Sequence, residues 1–348
     1  MRAEEAVSMR AVYVYPKSKF LSFTLAGREY IELIRAAGWI VEEVDEEEWN
    51  GEVSVWPTFM HPFFYPSGKL KRGPVVAVDV ADSSAISREA VTLLNKFAPF
   101  ASVPSRYSEM VFKHSGYAGR VFVWHHYLGE KWWSGKPNCG RSFRESGDLH
   151  VLYFLLHSGW RKGADVLAKS LRILRDRGVK FVLVLKRLDV EDPLKDPLVK
   201  EFKAVEIGER LDEDCLIKLY DDVASGPGVL ALPSRGGGFE RNGLEALSRG
   251  LPVVAPLGGS WTEYFPPELS PLLVRAAAME PVFTLNKYHV GVGPTADPAE
   301  MAEKLLIAPR YVGAVARAKP MLRARFSKEA VYAQVSRSLI ELARYAAR

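Results

Sequence analysis

Gly236, Gly237 and Gly238 stand between a short apolar run, Val229–Leu232, and a helical pattern that begins near Asn242. Glycines let backbone N–H groups approach whatever lies above such a turn. The start of the following helix brings the positive end of its dipole to the same place. That combination can cradle a diphosphate. Glu245 falls one turn inside the helix, where its carboxylate can face the same ligand, and the apolar run Pro252–Pro256 closes the unit as a second buried strand. Taken alone, the glycines fit equally well a strand–loop–helix unit whose tight turn holds nothing.

A loop of this kind needs a parallel sheet beneath it, and the chain carries the pattern for two. In the first half, strands are expected at Arg10–Tyr15, Ile40–Val44, Val53–Val55, Val75–Val80, Phe100–Pro104 and Val121–Trp124. Helices are expected over 22–38, closed by Gly38, over 87–97, and from Ser105 onward. An aromatic, proline-rich loop after the third strand holds Trp56, Phe59, His61, Phe63, Phe64 and Tyr65. Residues 129–149 are polar and rich in Gly, Pro and Ser, and read as the interdomain linker.

A second series then runs through a strand at Val151–Leu156, a helix over Gly163–Arg177, a strand at Phe181–Leu185 and a short helix over Asp212–Tyr220, into the glycine loop. A helix over Pro298–Leu306 follows, and from Pro309 the chain is helical and strongly basic. Strands alternating with helices predict an α/β fold of doubly wound parallel sheets. Two such halves place a cleft between them, with ligand loops at the carboxyl ends of the strands.

Of the 348 residues, 48% are hydrophobic and 26% charged, which is enough to bury real cores and excludes a disordered chain. The net charge of +5 is a weak pointer to an anionic partner. No apolar run approaches the roughly 20 residues that span a bilayer. The opening MRAEEAVSM lacks the apolar core of a secretory leader, and Met9 stands directly before the first strand as an alternative start. Cys139 and Cys215 lie far apart without metal-ligand spacing, and read as free thiols in a reducing, cytoplasmic compartment. Scarce Asn, almost no Gln and abundant Arg, Lys and Glu are the drift of a heat-adapted protein.

The run LPSRGGGFERNGLEALSRGLPVVAPLGGSWTE resembles the signature of GT-B glycosyltransferases, particularly the large retaining family 4. Other pieces resemble that family in the right order: ASVPSRYSEMVFKHSGYAGRVFVWHHYL (101–128), FLLHSGWRKGADVLAKSLRIL (154–174), LIKLYDDV (216–223), VGPTADPAEMAEKL (292–305) and ARFSKEAVYAQ (324–334). Residues 10–100 match in topology alone. The resemblance implies two Rossmann-like domains facing across a cleft: an acceptor-side domain over 1–140 and a nucleotide-sugar domain over 141–318. A helix over 319–348 would cross back toward the first. The implied reaction is hexosyl transfer from a nucleotide-diphosphate sugar to an acceptor hydroxyl, retaining, by front-side displacement.

The resemblance also gives roles to residues. Lys162, helped by Arg161, neutralises the departing diphosphate. Ser158, Gly237, Gly238, Phe239, Glu240, Asn242, Gly243 and Leu244 surround the donor, and Glu245 accepts from the ribose hydroxyls. In this chain Gly237 stands where the family has a glutamate eight residues before Glu245, and Glu240, three residues later, is the substitute. Glu240 reads equally as a surface charge.

On the acceptor side, Asp79 and Asp82 follow a strand and can position or deprotonate a hydroxyl. Asp82 also fits the N-cap of the next helix. His61 can serve the same role, and His125 and His126 end the last strand of the first domain. The aromatics around His61 either stack on a sugar or lipid acceptor or cover the core edge. No Asp-x-Asp pair marks a metal site, so the expectation is metal-independent transfer with no cofactor beyond the donor. The expected partners are a nucleotide sugar and a glycan or lipid-linked acceptor, with peripheral contact to the inner membrane face compatible and no nucleic acid; a nucleic-acid-binding protein, suggested by the charge and the basic C-terminal helix, ranks last among the alternatives. A non-catalytic nucleotide-sugar-binding protein, and an epimerase or phosphorylase of the same fold, stay open.

Overall fold

The computed structural model describes residues 9–17, 21–49, 51, 55–61, 74–144, 149–156, 158–188 and 195–346. The chain divides into two units. One comprises Met1–Ala81, Ile86–His126 and Glu329–Arg348; the other comprises Asp82–Ala85 and Tyr127–Lys328.

In the first unit the order is β1 (Arg10–Tyr15), α1 (Leu21–Ala36), β2 (Ile40–Asp45), β3 (Thr58–Met60), β4 (Val75–Val78), α2 (Arg88–Phe97), β5 (Phe100–Val103), α3 (Arg106–His114) and β6 (Arg120–Val123). The strands form one parallel sheet in the order β2-β1-β3-β4-β5-β6. Strands covered on both faces need apolar side chains at successive positions, as Val75, Val76 and Ala77 show.

Two sequence expectations change here. The third strand is Thr58–Met60, not Val53–Val55: Val55 is 80% exposed, and Val53 lies outside the described residues. Phe59 is the apolar anchor, stacked on Tyr13 at 5.7 Å, and this buries it in the core rather than offering it to a ligand. The N-cap of α2 is Ser87, whose Oγ accepts from the Ala90 N–H at 3.2 Å, so Asp82 is not the cap.

The second unit runs α4 (Glu130–Ser134), β7 (His150–Leu155), α5 (Ala164–Asp176), β8 (Val182–Arg187), α6 (Lys195–Phe202), β9 (Val205–Ile207), α7 (Glu213–Ala224), β10 (Gly228–Ala231), α8 (Arg241–Ser248), β11 (Val253–Pro256), β12 (Leu273–Val274), β13 (Ala276–Pro281), β14 (Val292–Ala296), α9 (Pro298–Ile307) and α10 (Val312–Phe326). The final helix, α11 (Lys328–Ala346), belongs to the first unit from Glu329 onward. The second sheet is parallel in the order β12-β11-β10-β7-β8-β9. Counted from its own first strand this is the doubly wound order 3-2-1-4-5-6, whose topological switch point lies between β7 and β10.

The antiparallel hairpin β13–β14 is absent from the sequence reading. Its first strand, AAAMEP, is largely exposed and alternates in neither size nor polarity.

The stretch expected as a polar linker is fastened down as far as residue 144. Trp132 and Trp133 are buried, and the Trp132 indole donates to Glu213 at 2.9 Å. The Phe143 N–H donates to Asp222 at 2.8 Å. Cys139 and Cys215 are joined in a disulfide, with Cα atoms 5.1 Å apart. The reading of two free thiols is therefore corrected. The 76-residue separation hides the pair, because only the folding of this stretch onto the start of α7 brings them together. The inference of a reducing compartment loses the support it drew from unpaired thiols. Among the described residues, no helix is long and apolar enough to cross a membrane.

Candidate active site

The switch point places the loop after β7 beside the loop after β10. The two touch closely: Gly163 has φ +70°, and a Cβ there would sit 2.0 Å from the Pro233 carbonyl oxygen. Only glycine fits. The Arg235 N–H donates to the Arg161 carbonyl at 2.7 Å, tying the loops a second time. The Arg235 side chain is fully buried, pairs with both Asp165 oxygens at 2.7 and 2.8 Å, and lies 3.7 Å over the Trp160 ring. Sequence reasoning missed Arg235, since its carboxylate partner is 70 residues away.

Four charged side chains meet where these loops join. Arg161 Nη1 donates to the Gly236 carbonyl at 2.9 Å and to Glu240 Oε1 at 3.1 Å. Lys162 Nζ donates to Glu240 Oε2 at 2.5 Å. Burial pulls the Lys162 ammonium below the ordinary lysine range against the opposing pull of Glu240, and Arg161 adds to the depression. Burial pushes the Asp82 carboxyl up, but Arg161, His289, Lys162 and the Gly238 N–H together hold it below the ordinary range. The Asp82 N–H donates to His289 Nδ1 at 3.4 Å. His289 also escaped the sequence reading, because it sits in the unanticipated β13–β14 loop.

Backbone strain marks the same two loops. Ser158 (φ 56°) and Glu240 (φ 54°) are left-handed, a conformation costly for residues with a Cβ. Glu240 is held there at the head of α8 by the two cations and by the Tyr264 hydroxyl, which donates to its carbonyl at 2.8 Å. The Glu240 carboxylate folds back over Gly237, and a Cβ at 237 would lie 2.0 Å from Oε1. Glu240 thus fills the space a side chain at 237 would enter, and is 8% exposed rather than a surface charge. Two buried polar atoms in these loops, Arg161 Nε and Ser234 Oγ, have no hydrogen-bond partner among the described residues.

The remaining donor-side candidates divide by role. Glu245 is buried, accepting from the Tyr220 hydroxyl at 3.0 Å and from Arg241 Nε at 3.1 Å. The Phe239 ring packs against Tyr264 and Phe326. Leu244 is wholly buried, and a Cβ at Gly243 would meet the Tyr264 hydroxyl at 2.2 Å. Asn242 accepts from the Tyr220 hydroxyl through its carbonyl at 3.3 Å. Ser158 accepts the Lys162 N–H at 2.9 Å, which shapes the turn.

In the first unit, His61 and Asp79 follow the neighbouring strands β3 and β4. They pair, His61 Nε2 to Asp79 Oδ1, at 3.1 Å, both buried. Phe23 presents its ring edgewise to His61 at 4.3 Å. His125 is not with them. It follows β6, two strands beyond β4, and its ring nitrogen Nδ1 is 3.0 Å from Gln334 Oε1. Phe63, Phe64 and Tyr65 lie outside the described residues. Among the described residues, no group of three or more His, Cys, Asp and Glu side chains could hold a metal ion.

No protein-family model matches the chain. It is 26% identical over 323 residues to "Uncharacterized protein 356" of Sulfolobus islandicus rod-shaped virus 1, covering 84% of this chain and 86% of that protein. It is 26% identical over 258 residues to "Putative glycosyltransferase 45" of Sulfolobus islandicus filamentous virus (isolate Iceland/Hveragerdi), covering 73% of this chain and 69% of that protein. Among solved structures it is similar to Anabaena Alr3699/HepE in complex with UDP and glucose, with a TM-score of 0.64 at 16% identity over 96% of this chain and 100% of that one. The chain has the GT-B fold.

Proposed function

We propose that the protein is a glycosyltransferase that moves a sugar from a nucleotide-diphosphate donor to an acceptor hydroxyl. The observation that carries this reading is the switch-point cluster: Arg161, Lys162, the Gly238 N–H and the head of α8 converge on one place. Fixed cations and aligned backbone dipoles in a buried site stabilise charge that develops on a leaving diphosphate without moving a proton. The unpartnered Arg161 Nε and Ser234 Oγ supply further polar groups for a ligand. Glu245, held by Tyr220 and Arg241, presents a carboxylate for ribose hydroxyls. Glu240 takes the role that the family's glutamate has at position 237. The likeness to a virus protein named as a glycosyltransferase and to a fold neighbour crystallised with UDP and glucose supports this assignment and makes UDP the first nucleotide to test.

The finer reading is retention of configuration without metal, with a glycan or lipid-linked acceptor. Within the first unit, the paired His61 and Asp79 are the groups assigned to the acceptor, Asp79 orienting the imidazole. His61→Ala is then expected to slow transfer by about 10²-fold while leaving nucleotide affinity unchanged. Equal loss of both would assign His61 to folding instead. The heat-adapted composition and the Cys139–Cys215 disulfide together favour a protein that works hot, where intracellular disulfides persist.

The deciding experiment is calorimetric titration of UDP, GDP and ADP and their sugar conjugates, followed by hydrolysis and transfer assays with whichever binds. Binding of one nucleoside diphosphate with turnover of its sugar conjugate establishes the reading. Binding without turnover leaves a nucleotide-sugar-binding protein, and no binding refutes the donor site.

A further inference from the structure

Asp82 occupies an unexpected position. The sequence places it on the acceptor side, after β4, yet Asp82–Ala85 packs as part of the second unit. Four backbone and hydroxyl bonds latch this strap to the loop of the β13–β14 hairpin. The Ser84 N–H donates to Val292 at 3.0 Å and the Val290 N–H to Ala85 at 3.1 Å. In return, Ser83 Oγ accepts from Gly291 at 3.1 Å and Ser84 Oγ from Val292 at 3.0 Å. Two glycines permit the approach. A Cβ at Gly236 would sit 1.9 Å from the Asp82 carbonyl oxygen, and one at Gly291 would sit 2.3 Å from the Ala85 nitrogen.

The strap brings the Asp82 carboxylate to the Gly238 N–H, among Arg161, Lys162 and His289. The Gly238 N–H, Arg161 and Lys162 are the donor and cations that the proposed function assigns to a diphosphate. A carboxylate and a phosphate oxygen ask the same of their surroundings: N–H donors and positive charge. Counted with Glu240, the site holds two carboxylates against Arg161 and Lys162. A diphosphate entering it would meet a neutralised site.

We propose that Asp82 is a specificity-determining residue whose carboxylate sits in the diphosphate subsite, so that a donor binds only by displacing it. This rests on the donor-site reading above. Only a ligand that offers the Gly238 N–H and the two cations more charge than one carboxylate can exchange with it. The residue therefore selects diphosphates over singly charged anions.

The test is calorimetric titration of wild type, Asp82→Asn, Asp82→Ser and Asp82→Glu, full-length, with UDP, GDP, ADP and inorganic pyrophosphate, beside thermal unfolding without ligand. The Asn and Ser variants are expected to bind pyrophosphate and the preferred nucleotide at least about tenfold tighter than wild type, a change of about 1.4 kcal/mol. Both are expected to unfold at lower temperature, while the Glu variant keeps wild-type affinity. A residue that is merely structural would lower the unfolding temperature without raising affinity. If nucleotides bind wild type and the neutral variants alike, or bind the neutral variants more weakly, the proposal is wrong and the donor site stands. Tighter binding in the Glu variant as well would point to lost packing and also overturn it. If no probe binds any of the four proteins, the donor-site reading falls and takes this proposal with it.

Discussion

Lys162→Ala is expected to lower the rate of sugar transfer at saturating donor by about 10²–10³-fold. The ammonium is partly buried, its side chain 12% exposed, and held 2.5 Å from Glu240, so it is positioned before any ligand arrives. A preorganised charge in a site that excludes water acts on the developing diphosphate charge at nearly full strength, whereas a mobile surface lysine would be screened. Removing it also leaves Glu240 with Arg161, at 3.1 Å, as its one ion-pair partner among the described residues. Lys162→Arg keeps the charge, but its planar fork differs from the compact ammonium that fits beside Glu240. It is expected to restore nucleotide affinity more fully than turnover. The measurement is the release of nucleoside diphosphate under single-turnover conditions, with unfolding temperature recorded for each variant. A folded Ala variant within about threefold of wild-type turnover would remove Lys162 from the catalytic machinery.

The second large effect is on stability. Replacing Cys139 and Cys215 together by serine opens a covalent loop of 76 residues. By the chain-entropy relation that loop contributes about 4.5 kcal/mol, chiefly by restricting the unfolded chain. For a unit of this size the corresponding fall in unfolding temperature is roughly 10–15 °C. The bridge does not act alone: Lys131 with Asp214 (3.0 Å), Trp132 with Glu213 and Phe143 with Asp222 fasten the same stretch to α7. The double variant is therefore expected to fold and to keep its nucleotide affinity while unfolding earlier. Scanning calorimetry of wild type, the double variant and reduced wild type reads this directly. Reduced wild type should fall with the variant. If all three unfold together, the stretch is held by its hydrogen bonds and buried tryptophans, and the bridge adds nothing.

The loops of the candidate donor site were largely legible because their determinants are local. Gly236–Gly238 and the helix that holds Glu245 lie in one run, and a β-strand, a turn and a helix head are short-range objects whose residue types follow from backbone geometry. Lys162 was legible only through the family resemblance of residues 154–174. What the run could not show is the direction of the Glu240 side chain. That depends on a left-handed backbone at 240 and on cations some 78 residues earlier in the chain. The glycine at 237 looks like a lost glutamate in the sequence; in the fold it is the space into which Glu240 turns.

On the acceptor side the residue types were visible and their partners were not. His61 and Asp79 were separate candidates for one task, and pairing of β3 with β4 sets them side by side. His125 carried a comparable signal, yet its ring meets Gln334 of α11.

By itself, then, the sequence determined the alternation of strands and helices, the two parallel sheets, and the loop chemistry at the carboxyl ends of β7 and β10. These follow from hydrophobic period and from the few residues that tolerate tight turns. The tertiary structure alone decided the Cys139–Cys215 bridge, the Arg235–Asp165 pin, the β13–β14 hairpin with His289, and the seat of the Asp82 carboxylate. Each of these joins residues from distant parts of the chain, or sits on a strand with little periodicity of its own. A charge buried against a partner far along the chain has no local signature; its cost is met only when the fold delivers that partner.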